Sequence, residues 1–285
     1  MRPYLSRMNT SKNILITGVS TGLGYGATKE LIARGYIVFG SVRKKEDADR
    51  LQTELGEKFI PLIFDVTDYA AIDQAVEEVR QKLNGQGLGG LINNSGISVS
   101  GPIQYIPIDE LRKNFEVNVF GLVKVTQAFL PLLGAQKNHP STPGRILNIS
   151  SVTGKLAPPY LSPYVASKHA VEGISHVLRR ELMQFGIEVI IIGPGAVQTA
   201  IWDKGSLEKY KNTPYIASLA KYFIKFVNDG KRGMPLDVFS KKLADIFETP
   251  KPKTRYAIVQ GAFFNWILPR LLPDRSVDNF FKKLI

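Results

Sequence analysis

The chain contains no cysteine. Disulfides, thiolate metal sites and a cysteine nucleophile are therefore excluded, and the composition suits a reducing compartment. Histidine is almost as scarce, with only His139, His169 and His176. A histidine-rich metal centre is not expected, and no metal ligands are assigned. His169 and His176 stand seven apart on one expected helix and read as ordinary helix residues. No uninterrupted apolar run approaches the ~20 residues that span a membrane. The opening MRPYLSRMNTSKN is basic but lacks an apolar h-region, so it is not read as a secretory signal. Residues 1–11 read as a short loose leader. Internal repeats and low-complexity linkers are also missing.

What is present is ordinary for a globular chain: 285 residues, 44% hydrophobic and 22% charged. The formal net charge is +12. That balance suits anionic partners such as phosphorylated ligands or an acidic membrane surface. No nucleic-acid-binding motif accompanies it. The excess is uneven, because sixteen Lys/Arg face eight Asp/Glu between Ile201 and Ile285.

Apolar runs of strand length alternate with helix-period segments. Expected strands cover 13–17, 37–41, 59–64, 90–94, 145–149, 188–192 and 255–259. Expected helices cover 25–34, 46–55, 68–83, 108–133, 163–185 and 236–247. This alternation predicts an α/β fold, a single doubly wound Rossmann-type domain with a parallel seven-stranded sheet and helices on both faces. The domain spans 12–285. Residues 199–233 break the rhythm, carry Trp202 and five further aromatics among lysines, and read as a lid before the last strand. Residues 262–285 form an apolar and basic tail.

The first strand runs straight into Gly18-Val19-Ser20-Thr21-Gly22-Leu23-Gly24 and then a helix. Glycines let a backbone approach a pyrophosphate, and a helix N-terminus offers N–H groups and a positive dipole end. Dinucleotide folds that bind NAD place an acid after the second strand. Here Arg43 stands there, followed by Lys44 and Lys45. An arginine would hold a 2′-phosphate that a carboxylate would repel, so NADP(H) is expected over NAD(H). A merely solvated basic turn is the other reading. Asn93 and Asn94 end the fourth strand, at the edge where open α/β sheets bind ligands. Asn118 lies inside the 108–133 helix, where a buried asparagine must hydrogen-bond or distort the helix.

Tyr164 and Lys168 are four apart on an expected helix and share a face. A nearby ammonium would lower a phenol's pKa and let it exchange a proton with an alcohol or ketone oxygen. Taken alone, the pair also fits a core tyrosine beside a solvated lysine.

Together these motifs resemble the short-chain dehydrogenase/reductase family over about residues 12–199, and more loosely beyond. The resemblance implies a catalytic set of Asn118, Ser151, Tyr164 and Lys168. Tyr164 is the acid–base, Ser151 polarises the carbonyl, Lys168 tunes Tyr164 and binds the nicotinamide ribose, and Asn118 holds a water. It implies cofactor contacts from Gly18, Ser20, Thr21, Gly22, Leu23 and Gly24. Further contacts come from Arg43, Asp65, Val66, Asn94, Tyr164, Lys168, Pro194, Gly195, Val197 and Thr199. Ser95 departs from the family's alanine at that position. The stretches GIEVIIIGPG, KTRY and LLPDR look like members acting on steroids, retinoids and other lipophilic alcohols or carbonyls. The implied partners are a lipophilic small molecule and further copies of the chain, as a homodimer or homotetramer. The expected location is cytoplasmic. The stretch Phe263 to Leu268 either packs on the core or a second copy, or touches a membrane surface. A non-catalytic dinucleotide-binding regulator or scaffold is the alternative, and the intact catalytic set argues against it.

Overall fold

The computed structural model describes residues 11–199 and 207–283. Trp202 and most of the expected leader lie outside them. The strands are β1 (Asn13–Ile16), β2 (Ile37–Val42), β3 (Phe59–Ile63), β4 (Gly90–Asn93), β5 (Arg145–Ile149), β6 (Glu188–Pro194) and β7 (Arg255–Ile258). The helices are α1 (Gly22–Ala33), α2 (Lys45–Leu55), α3 (Tyr69–Leu83), α4 (Ile108–Phe115), α5 (Gly121–Leu133), α6 (Ser162–Glu181), α7 (Ile216–Lys231), α8 (Leu236–Glu248), α9 (Leu268–Leu271) and α10 (Asp274–Lys282).

All seven strands pair in parallel, in the order β3-β2-β1-β4-β5-β6-β7. The chain walks outward from β1 to β3, returns beside β1 as β4, and walks out the other way. The reversal leaves a crevice at the carboxyl ends of β1 and β4. The expected doubly wound parallel sheet is the one observed.

Period-two alternation distributes each strand between two cores. Ile14, Ile16, Val38 and Leu147 pack against α1, α2 and α8, with Leu31, Leu51 and Phe239. Leu15, Phe39, Leu91 and Ile146 pack against α3 and α5, with Ile72, Val79 and Phe129. Burial on both faces is why these strands read as continuous apolar runs.

Local signals set the ends of the site-bearing helices. Asp68 caps α3 by accepting a hydrogen bond from the Ala71 amide at 3.0 Å. Pro163 sits in the first turn of α6, and Gly186 stops the run at φ +72°.

Three expectations shift. Helix α1 begins at Gly22, inside the glycine turn, rather than at Tyr25. The 108–133 helix is interrupted by a π turn over Glu116–Phe120. That helical run is the one segment among the described residues long and apolar enough to cross a membrane, but half of its most apolar window is buried in the molecule. Finally, the tail does not sink into the core. Phe263, Phe264, Leu271 and Phe280 are 55, 70, 75 and 57% exposed.

Candidate active site

The glycine turn is pinned from below by side chains. Thr17 Oγ1 accepts the Asn94 and Ser95 amides at 2.9 and 3.0 Å. Asn94 Nδ2 donates to the carbonyls of Thr17 and Gly18 at 2.8 and 3.0 Å. The Gly18 amide donates to Ser41 Oγ at 3.0 Å. Gly18 and Gly22 have φ of +69° and +62°, a left-handed geometry that favours glycine. A Cβ on Gly24 would sit 2.4 Å from both Gly18 O and Asn94 Nδ2, so the helix can meet the turn only because that atom is missing. A Cβ on Gly18 would lie 2.7 Å from Ser95 Oγ, so the serine at that position is accommodated by the glycine opposite.

Ser20 and Thr21 line the open side of this turn, and Thr21 makes no side-chain cap to α1. The first amides of α1 are therefore not taken up by that side chain, as a pyrophosphate site at a helix N-terminus requires. Thr199 lies over the turn, with its side chain 3.8 Å from where a Gly22 Cβ would be. Pro194 ends β6, and the Gly195 amide donates to Ile258 O at 2.9 Å. The donor set and the cradle fit a dinucleotide.

Several of the residues expected to contact the cofactor also have partners within the protein. Asn94 directs its amide at the turn carbonyls, so it shapes the cradle. Val66 is buried against Gly121, and Val197 is buried in a bridge with Met234. Leu23 packs on the core. Asp65 Oδ1 accepts the Thr67 amide and hydroxyl at 2.9 and 2.8 Å, closing its own turn. Arg43 stands exposed immediately after β2. Arg50, which the sequence did not single out, donates to Ser20 O at 2.8 Å and carries a second guanidinium to the turn.

The expected catalytic set gathers at the carboxyl ends of β4 and β5. Lys168 Nζ lies 5.6 Å from the Tyr164 ring centre and donates to Ile149 O, the end of β5, at 2.8 Å. Ser151 begins the turn after β5, and its Oγ accepts the Thr153 amide at 3.1 Å. Lys168 Nζ and Asn118 Oδ1 both border Gly96, 3.7 and 3.2 Å from where its Cβ would be.

The Tyr164 phenol departs from the sequence expectation. Burial pushes its pKa up, and the Ser151 hydroxyl opposes that by hydrogen bonding to it. Burial also pulls the Lys168 ammonium down to about 8, against the Glu172 carboxylate, which favours the charge.

Asn118 both hydrogen-bonds and distorts its helix. Its Oδ1 accepts the Ile97 amide at 2.8 Å. Its Nδ2 faces Ile97 O at 2.9 Å, Ser167 Oγ at 3.0 Å and Asn114 Oδ1 at 3.2 Å. Beneath it, Asn93 Nδ2 donates to Thr126 Oγ1 and Asn148 Oδ1, both at 2.9 Å. Asn93 thus ties β4 to β5 and α5, while Asn118 ties the π turn to Ile97, α4 and α6. Below Lys168, Glu172 is paired with Arg255 from β7, a contact between residues 83 positions apart that the sequence did not reveal.

Comparison with known proteins bears on this geometry. The short chain dehydrogenase family model matches residues 12–209. An NADPH-dependent 3-dehydrocapnine reductase of Ornithobacterium rhinotracheale is 42% identical, covering 94% of this chain and 95% of the relative. A 17-beta-hydroxysteroid dehydrogenase type 6 of Bos taurus is 31% identical, covering 94% and 86%. A crystal structure of a short-chain dehydrogenase from Streptomyces avermitilis superposes with a TM-score of 0.77 at 27% identity, covering 96% of this chain and 95% of that one. With the switch-point crevice, the glycine cradle and the match along most of its length, this chain belongs to the short chain dehydrogenase family.

Proposed function

We propose that the protein is an NADPH-dependent reductase of a ketone or aldehyde carried on a lipophilic molecule. The observation that carries this reading is the meeting of Ser151, Tyr164 and Lys168 beside the glycine cradle. The cofactor would be held by the amides at the start of α1, by Arg43 at its 2′-phosphate and by Thr199 over the turn; bound there, it supplies the hydride. Ser151 orients and polarises the carbonyl oxygen. Tyr164 gives that oxygen its proton. A phenol holds its proton at neutral pH and burial pushes its pKa further up, which suits a donor in the reductive direction. Lys168 has three N–H donors and gives one to Ile149 O, leaving two for a ribose. With its side-chain amide engaged by protein groups, Asn118 holds water through the main chain of the π turn.

The lid supports a lipophilic substrate. Tyr160 packs edge-on against Tyr215 and Tyr222 of the lid, and its hydroxyl meets Ser218 Oγ at 2.7 Å. Tyr160 holds φ +63°, an uncommon geometry for a bulky residue and one typical of functional loops. A surface cavity of about 560 Å³ opens beside the start of α6, lined by Ile103, Pro158, Pro159, Tyr160, Val165 and Tyr215. It would seat an apolar chain.

The test is turnover of lipophilic carbonyls, headed by 3-dehydrocapnine, with NADPH and NADH, on wild type and Tyr164→Phe. Tyr164-dependent turnover that prefers NADPH supports the reading. Equal turnover by Tyr164→Phe sinks it.

A membrane-surface contact is a second reading, favoured by the exposed tail. Phe263, Phe264, Leu271 and Phe280 are flanked by Arg270, Arg275, Lys282 and Lys283, the layout of an interfacial segment on anionic lipid. Sedimentation with phosphatidylglycerol vesicles, lost in Phe264→Ser/Leu271→Ser, is the expected result. Equal sedimentation of both proteins rejects it. Exposed Phe120 and Val177 on the two long central helices support association between copies, which sedimentation equilibrium would read.

A further inference from the structure

We infer that Arg255, clamped by Glu172, is a positioning residue for Ser151. The inference rests on the reductase reading for its consequence, but its geometry stands separately. Arg255 Nε lies 3.0 and 2.9 Å from the two carboxylate oxygens of Glu172. Its Nη2 donates to the Ser151 carbonyl at 3.2 Å, and the Gly154 amide donates to that same carbonyl at 3.1 Å. Ser151 is thus fixed through its main chain by a side chain from the last strand, 104 positions away.

The surroundings are shaped for this pair. The Glu172 side chain is 2% exposed and that of Arg255 is 13% exposed. Two glycines leave the space they occupy. A Cβ on Gly193 would lie 2.6 Å from Arg255 Nη2, and one on Gly154 would lie 3.0 Å from Glu172 Cγ. Trp266 covers the guanidinium at 4.2 Å, with Arg270 at 4.5 Å from the same ring. Lys155 Nζ reaches Glu172 from outside at 3.8 Å. Glu172 is also the carboxylate that opposes the loss of the Lys168 proton. One ion pair therefore touches the supports of both Ser151 and Lys168.

A buried ion pair is weak evidence for stability, since an apolar pair of similar volume often serves as well. What apolar residues cannot supply is the directed N–H at the Ser151 carbonyl. A lysine at this position would keep the charge but lose the planar fork that serves Glu172 and Ser151 together.

The test compares wild type, Arg255→Lys and Glu172→Gln/Arg255→Met. In Arg255→Lys, turnover of the substrate accepted by wild type falls about 100-fold, as displacement of a catalytic group by about 1 Å would cause. NADPH affinity, read by fluorescence titration, stays at the wild-type value. Deuterium uptake at the 150–156 turn quickens. The double variant recovers the melting temperature but not the turnover. Wild-type turnover in the double variant would make the pair purely structural and overturn the inference. So would wild-type uptake at the turn in Arg255→Lys. Because uptake is read without substrate, it decides the clamp even if the reductase reading fails.

Discussion

Asn118 Nδ2 donates to Ser167 Oγ at 3.0 Å, joining the π turn to α6 one residue before Lys168. Ser167 is itself anchored, since its hydroxyl donates to Tyr164 O at 2.8 Å. The contact therefore links the helix distortion to the segment that aims Tyr164 and Lys168. Asn118→Ala, Ser167→Ala and the double variant should show a coupling of about 0.5–3 kcal/mol in thermal or denaturant unfolding. Additive losses would mean that the two residues act separately. Asn118→Ala alone also strands the Ile97 amide, at about 1–3 kcal/mol, while the Ile97 carbonyl keeps Asn114 Nδ2 as a donor. It should be the more damaging single change.

The pH dependence follows from Lys168. Its ammonium titrates at about 8 because burial opposes the charge. Tyr164 and Glu172 on its own helix are the titratable groups that face it, and Glu172 is itself paired with Arg255 from β7 and Lys155 after β5. Below that value Lys168 holds its proton and can pass one to Tyr164; above it the supply fails. The kcat/KM for carbonyl reduction, which reports the free enzyme, should fall as pH rises through about 8. Glu172→Gln removes the charge that favours the ammonium, so its falling limb should move to lower pH. An unmoved limb would show that another group controls it. The folding consequence has the opposite sense. Folded Lys168 binds its proton less tightly than the ordinary lysine value of 10.5, so it costs stability fully below about 8 and is relieved as pH rises towards 10.5.

Gly24 gives a local test of the cradle. The Cβ of Gly24→Ala would meet Gly18 O at 2.4 Å, and a backbone atom cannot step aside as a flexible side chain can. The helix must move off the turn, costing about 1–3 kcal/mol as overpacking does. NADPH affinity should fall with the melting temperature. Gly35→Ala is the control for a glycine with open space around it, although its φ of +87° carries strain. It should lower stability without changing cofactor affinity.

Much of this was legible because the signals are local. The glycine turn is written in consecutive residues whose backbone geometry only glycine tolerates. Tyr164 and Lys168 are one helical turn apart, so their shared face follows from spacing alone. Asn118 could be marked as a residue that must bond or bend its helix, and it does both. The π turn itself was hidden, since 108–133 keeps a helical period throughout. The protein partners of the Asn94 side chain were not legible, because a motif names a position without saying whether side chain or main chain faces the ligand. The Glu172–Arg255 pair depends on β7 lying beside β6, a tertiary fact. The available hint was Glu172 at one turn beyond Lys168, on the face already assigned to the site. The sequence left the tail open between the core, a second copy and a membrane surface, because apolar composition drives burial only where the fold leaves a surface to receive it.

Arg43 tests the cofactor preference directly. It is exposed at the end of β2, on the side of the crevice that Arg50 also reaches through Ser20 O. A charge-assisted hydrogen bond to a 2′-phosphate contributes about 1.5–3 kcal/mol, or about 10- to 100-fold in affinity. Arg43→Ala should weaken NADPH by that factor and leave NADH unchanged. Arg43→Glu should go further, because a carboxylate repels the phosphate and can accept a hydrogen bond from a ribose hydroxyl. Its preference should invert towards NADH. Fluorescence titration with both cofactors reads the ratio without any substrate. Equal losses for the two cofactors would place Arg43 at a group that both share, such as the pyrophosphate. No loss for either would leave it a solvated turn residue, and Arg50 would become the guanidinium to test.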